Sequence, residues 1–199
     1  MVTTREEPLF RGIEAYSDPN GRYTFWIPSE WHRFQPAGDQ DGIIFSPYPS
    51  TPPVTWFSVL ISELPGTVVA EDLEVVREGV DEGLSLLKNC AVESASEDVL
   101  NNMLKFERIY TFDEDGVTRK RRVWILYVDR WLMVVAWQGE TVEEYQHWLM
   151  MPNYSFSTFD ISEVLWFASD RTIAGNATRT ELIDATTDPN TSSPQDTTT

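Results

Sequence analysis

Two histidines, one cysteine, one run of bases and eight tryptophans are the residues of this chain with the most chemistry to offer. His32 follows Trp31, and His147 precedes Trp148. A histidine acts as a base, or in a triad, only beside a carboxylate or nucleophile that the fold places there. No Gly-x-Ser-x-Gly elbow is present. The two histidines lack the helical spacing of a metal pair, and Cys90 has no second cysteine, so zinc is not expected. No phosphate loop or dinucleotide fingerprint occurs. These residues predict no catalytic residue, no metal ligand and no cofactor. A hydrolase built on His32 or His147 with carboxylates is the least favoured function.

Thr118–Arg122 is the only basic cluster. It leaves a predicted turn whose other arm ends in Asp113, Glu114 and Asp115. Opposite charges across a hairpin contribute about 0.2–1 kcal/mol per pair. Such pairing is preferred here to a dedicated anion site. The tryptophans are more suggestive. Trp131, Met133, Val135 and Trp137 share one face of a predicted strand, and Leu132, Val134 and Ala136 share the other. A strand apolar on both faces is predicted to be central and covered on both sides. Trp26, Trp31, Trp56 and Trp124 join the expected core. Eight tryptophans are nevertheless many for one core, and tryptophan is enriched at binding hot spots. Trp131, Trp137, Trp56 and Trp31 are therefore the candidate binding surface. Pro49 to Pro52 matches a PxxP pattern but is read as a stiff strand connection.

The elements that must position these residues follow from pattern. Asp18–Gly21 is a turn between Ala15–Ser17 and a strand Arg22–Ile27 that Pro28 stops. Gly42–Phe45 and Thr55–Leu64 are further strands. Leu73, Val76, Val80, Leu84 and Leu87 recur at helical spacing and predict an amphipathic helix from Ala70 to Leu87. Four strands follow, at Ala91–Ser96, Met103–Phe112, Thr118–Val128 and Arg130–Gln138. The short turns between the last three force antiparallel pairing. Thr141 and Glu144 form a capping-box pattern opening a second helix that Pro152 is expected to end. Ser155–Phe159 is expected as a last strand and Ile161–Ala168 as a short helix. The sum is an α+β fold, with a central antiparallel sheet of six to eight strands, one long helix and one shorter helix.

Composition bounds the rest. The 199 residues suit one domain over residues 1–167, with a Thr-, Ser- and Asp-rich acidic stretch over 168–199 read as a disordered tail. Thirty-two acids against 15 bases leave a net charge of −17. That balance argues against nucleic acid and anionic membranes, and suits a basic protein partner. No apolar run resembles a signal peptide or a membrane span, so a soluble cytoplasmic protein is expected.

Tyr16, Asp18, Gly21, Tyr23, Phe25, Pro28 and Trp31 together resemble the opening of the PsbP-like (PsbP/Mog-type) family. The order of elements from Ala15 to Phe159 is similar to that family as well. The resemblance implies a central antiparallel sheet with helices on its faces. It also implies a mostly non-catalytic, partner-binding or assembly role. The expectation is thus a non-catalytic protein-binding module. A small-ligand binder with an aromatic-lined pocket between sheet and helix is the alternative.

Overall fold

In the computed structural model, described for residue 5, residues 8–100, residues 103–163 and residue 165, ten strands form two antiparallel sheets. The small sheet has the order β1-β2-β10, from Ile13–Ser17, Tyr23–Pro28 and Asp160–Ile161. The large sheet has seven strands in the order β3-β4-β5-β9-β8-β7-β6. Its strands are β3 (His32–Phe34), β4 (Asp41–Ser46), β5 (Trp56–Glu63), β6 (Ala91–Leu100), β7 (Met103–Glu114), β8 (Val117–Val128) and β9 (Trp131–Gly139). The fold class is α+β, as the pattern predicts.

β9 lies fourth of seven, between β5 and β8. Its two apolar faces meet different layers. Met133, Val135 and Trp137 belong to the main core, with Phe57, Val59 and Ile61 of β5 and Leu126 and Val128 of β8. The small sheet closes this side with aromatics. Phe25 meets Phe45 at 5.8 Å and Phe57 at 5.2 Å between ring centroids. Such offset pairs add to the area they bury. Val134 and Ala136 face the opposite layer, where the helix α1 (Leu73–Ser85) brings Leu84. Val80 of α1 packs with Leu104 and Phe106 of β7.

α2 (Val142–Trp148) and α3 (Met150–Ser157) cover the main-core side. Thr141 caps α2 by accepting from the Glu144 N–H at 3.2 Å. The Glu144 carboxylate does not close the box. It accepts instead from the Tyr48 hydroxyl at 2.9 Å and the Trp148 indole at 3.2 Å. α2 starts very close to β9. A Cβ on Gly139 would stand 2.2 Å from the Tyr145 nitrogen. Only glycine fits that approach.

Three expectations near the C-terminal side need correction. Pro152 does not end a helix. It sits in the first turn of α3, where N–H groups have no intrahelical acceptor and a missing one costs nothing. The expected strand at 155–159 is therefore largely helical, and the closing strand is β10. Ile161 belongs to β10, Glu163 and Leu165 are helical as expected, and half of the expected helix 161–168 lies outside the described residues. So does the acidic stretch 168–199. The predicted long helix is also shorter, a 3-10 turn (Ala70–Asp72) running into α1. β3 was not expected at all.

A buried ion pair ties the two sheets together. Arg22, at the turn before β2, donates to both Asp18 oxygens, at 2.7 and 2.8 Å. Its third nitrogen reaches Asp41 of β4 at 2.7 Å, and its guanidinium lies 5.2 Å from the Trp131 ring centroid on β9. Asp18 also accepts the backbone N–H of Arg22 and Asn20. Burial pushes the Asp18 carboxyl up, but the Arg22 guanidinium and these N–H groups outweigh it and hold it below its ordinary value. A carboxylate depressed in the folded state stabilises above its unfolded pKa of about 3.9 and loses that contribution as pH falls through its folded value. Asp18→Asn leaves a buried guanidinium without its bidentate partner, a change that costs about 3–5 kcal/mol for such pairs. Calorimetry should find a lower Tm for Asp18→Asn at pH 7. The gap to the parent protein should close as pH falls below about 4.

Candidate functional site

The structure separates the four tryptophans of the expected binding surface. Trp31 and Trp137 are interior, 4% and 0% exposed, with ring centroids 5.8 Å apart. Trp131 and Trp56 are half-buried on opposite faces of the large sheet, and this chain's own arginines stack on both. Arg22 covers Trp131 at 5.2 Å, and Arg121 covers Trp56 at 5.3 Å. Trp131 borders a polar cleft of about 650 Å³ with Asp39, Asp41 and Glu63. Two of these acids are already engaged, Asp41 by Arg22 at 2.7 Å and Glu63 by Arg130 at 3.1 Å. Trp26, expected in the core, is 42% exposed on β2. Its strand position alternates with Phe25 and Ile27, which point inward.

The basic cluster resolves into pairs, as the hairpin reading anticipates. Arg119 Nε is 2.8 Å from Glu114, Lys120 Nζ is 2.5 Å from Glu93, and Arg122 Nε is 2.7 Å from Glu107. Only Glu114 comes from the acidic turn. The other acids come from β6 and β7, through a register that charge pattern alone does not reveal. Arg121 is the exception and bonds to neutral groups. His32 is exposed on β3. His147 lies on α2 with its ring edge-on to Trp148, at 5.1 Å. Among the described residues no group of three His, Cys, Asp or Glu is arranged to hold a metal ion. No helix among them is long and apolar enough to cross a membrane.

The most exposed regular element is β6. Nine of its ten residues are exposed, and Val92, Val99 and Leu100 are large apolar side chains among them. Among the described residues it pairs on one side only, with β7. After an irregularity at Val92–Ser94, Ala95–Leu100 run in unbroken register against Met103–Arg108. Its outer edge therefore presents unpaired backbone donors and acceptors. Natural edge strands are usually guarded by lysine, proline, a bulge or shortness. β6 has the bulge, but no lysine and no proline, and it is long. β3, at the other edge, has three residues. The β6 side is also acidic. Glu74, Glu78, Asp81 and Glu82 on α1 and Glu93, Glu97 and Asp98 on β6 outnumber Arg77, Lys105, Arg108 and Lys120.

Solved structures share this architecture. Cyanobacterial PsbP (CyanoP) from Synechocystis sp. PCC 6803 is 18% identical, with a TM-score of 0.53, over 75% of this chain and 92% of that one. The fold is PsbP-like. LpqN of Mycobacterium tuberculosis, a protein involved in cell envelope biogenesis, is 11% identical with a TM-score of 0.52, over 76% of this chain and 91% of that one. Comparisons with family models and with curated proteins find no match. At these identities the likeness speaks for the PsbP-like fold alone. Five of the seven motif positions that suggested it have a clear structural use. Gly21 turns with φ of 68°, Asp18 holds Arg22, Tyr23 and Phe25 fill the core, and Trp31 packs on Trp137.

Among the described tryptophans Trp26 is the most exposed. Acrylamide should quench the Trp26→Phe variant distinctly less than the parent protein. Trp137→Phe, which removes a buried ring, should leave the quenched share of fluorescence no smaller.

Proposed function

We propose that this protein is a non-catalytic binding module that takes an extended, basic segment of a partner protein along the outer edge of β6. The observation that carries this reading is the open, acidic edge itself: ten residues without lysine or proline, exposed and paired on one side. An added strand would gain main-chain hydrogen bonds along Ala95–Leu100, with alternate side chains set on either face. Val99 on one face and Leu100 on the other offer apolar contacts. The acids of α1 and β6 favour lysine and arginine in the guest. Charge also speaks against a second copy of this chain, because two β6 strands would bring like charges together. The Trp131 cleft is the weaker place for a partner, since Arg22 already occupies its aromatic face.

Synthetic peptides of alternating lysine and valine test this reading. They should perturb backbone amide resonances of β6 first and leave those of β9 unchanged. Affinity should fall several-fold between about 50 and 300 mM salt, because exposed charges are screened. Alternating glutamate–valine peptides should not bind. Ser94→Lys with Ser96→Lys adds guarding charges at exposed positions and should abolish binding with little change in Tm. Perturbation centred on Trp131, or binding indifferent to the lysine pair, would overturn the assignment of the edge.

A further inference from the structure

The side of the large sheet that carries α1 is incompletely filled. A cleft of about 370 Å³ runs between the helix and the sheet. Val80, Leu84 and Leu87 line it from the helix side, and Val123, Ile125 and Val134 from β8 and β9. Gly79 and Gly83 border it on α1. A Cβ on either would meet no heavy atom within 4 Å. Two glycines inside a helix each cost about 1 kcal/mol relative to alanine. No close backbone contact demands them here, so what they preserve is open space.

One end of this cleft holds Arg121. Its Nε donates to Gln138 Oε1 at 3.0 Å, and Nη2 donates to the same oxygen. Nη1 reaches the Tyr110 hydroxyl at 3.4 Å. The guanidinium lies 4.8 Å from the Phe112 ring centroid and 5.3 Å from that of Trp56. Among the described residues no carboxylate lies within ion-pair distance of it. Its neighbours in the basic cluster all have one. An unneutralised, half-buried guanidinium is conspicuous in a chain of net charge −17. A guanidinium carries five N–H donors, and the contacts to Gln138 and Tyr110 engage three. One N–H on Nη1 and one on Nη2 remain to be donated to a further acceptor such as a carboxylate.

We propose that this cleft binds an amphipathic carboxylate, with a medium-length aliphatic chain between α1 and the sheet and its headgroup on Arg121. The volume is at the small end of the ~300–1,000 Å³ typical of ligand sites. The branched aliphatic lining suits a flexible hydrocarbon. No tryptophan among the described residues lines the cleft, so it is not the tryptophan-rich pocket expected from the composition. Arg108 also borders the cleft, but Glu97 at 2.7 Å and Asp81 at 3.5 Å already hold it. Those two carboxylates repel a headgroup, which orients the ligand toward Arg121. Burial raises the Tyr110 hydroxyl above its ordinary value, so it stays a neutral donor beside the bound anion. This site is separate from the β6 edge, and either can stand without the other.

Decanoate is the probe, titrated calorimetrically below the concentration at which it forms micelles, with 1-decanol as the uncharged control. The parent protein should bind one decanoate saturably, at least tenfold more tightly than decanol. Arg121→Gln should lower decanoate affinity to that of decanol, while Arg121→Lys keeps part of the difference. Gly83→Leu places a side chain at the cleft and suits a helix better than glycine. It should abolish binding of both compounds with Tm equal to or above that of the parent. Absence of saturable decanoate binding, equal affinity for decanol, or full affinity in a folded Gly83→Leu protein would each overturn the proposal.

Discussion

The strand β9 has no polar face to turn toward water between Trp131 and Trp137, and much of the molecule is arranged around that constraint. Such a strand must lie inside a sheet and beneath cover on both sides. Met133, Val135 and Trp137 are covered by the aromatic small sheet together with α2, and Val134 and Ala136 by α1. The two covers are unequal. The small sheet interlocks ring against ring around Phe25, Phe45 and Phe57. α1 has one buried residue, Val80, and two glycines beside open space. The side of β9 toward the small sheet is therefore a closed core, and the side toward α1 retains room.

Charge follows the same division. On the closed side Arg22 is bound by two carboxylates and an aromatic ring, and it joins β2 to β4 and β9. Arg122 is bound by Glu107 and by Asn153 of α3. On the α1 side Arg121 has only neutral partners among the described residues. A chain with this excess of acid could have supplied a carboxylate at little structural expense. That none of the described residues does is the physical reason to look for one from outside. The large sheet also ends in a long edge strand, β6, that has a bulge but no lysine or proline, while its opposite edge is three residues long.

The long strands were legible because their patterns are local. Alternation and the Asp–Gly and Asn–Gly turns locate β2, β7, β8 and β9 within two residues, and β9's two apolar faces announce its central place. Short elements were not legible. β3 has three residues and β10 has two, too few for a period, and both exist because a neighbour offers them a ladder. Pro152 misled because proline breaks a helix interior and is tolerated in a first turn, and the difference depends on where the chain bends at Leu149. The candidate sites were hidden for a related reason. Whether β6 is an edge depends on strand order, not on its own residues. Whether Arg121 has a partner depends on register, which sets Lys120 toward Glu93 on one face and Arg121 toward Gln138 on the other. The tryptophans were visible by type, but only packing shows that Arg22 and Arg121 already cover Trp131 and Trp56.

The central claim is that β9 is paired along both edges while β6 is open along one. Hydrogen–deuterium exchange of the full-length protein, read residue by residue, tests it most directly. Amides of β9 should exchange at the rate of global unfolding. Along Ala95–Leu100, amides should alternate between protected ones that pair with β7 and ones that exchange nearly as fast as in an unstructured chain. Uniform protection along β6 in the protein alone would mean that its edge is already covered, and would contradict the account.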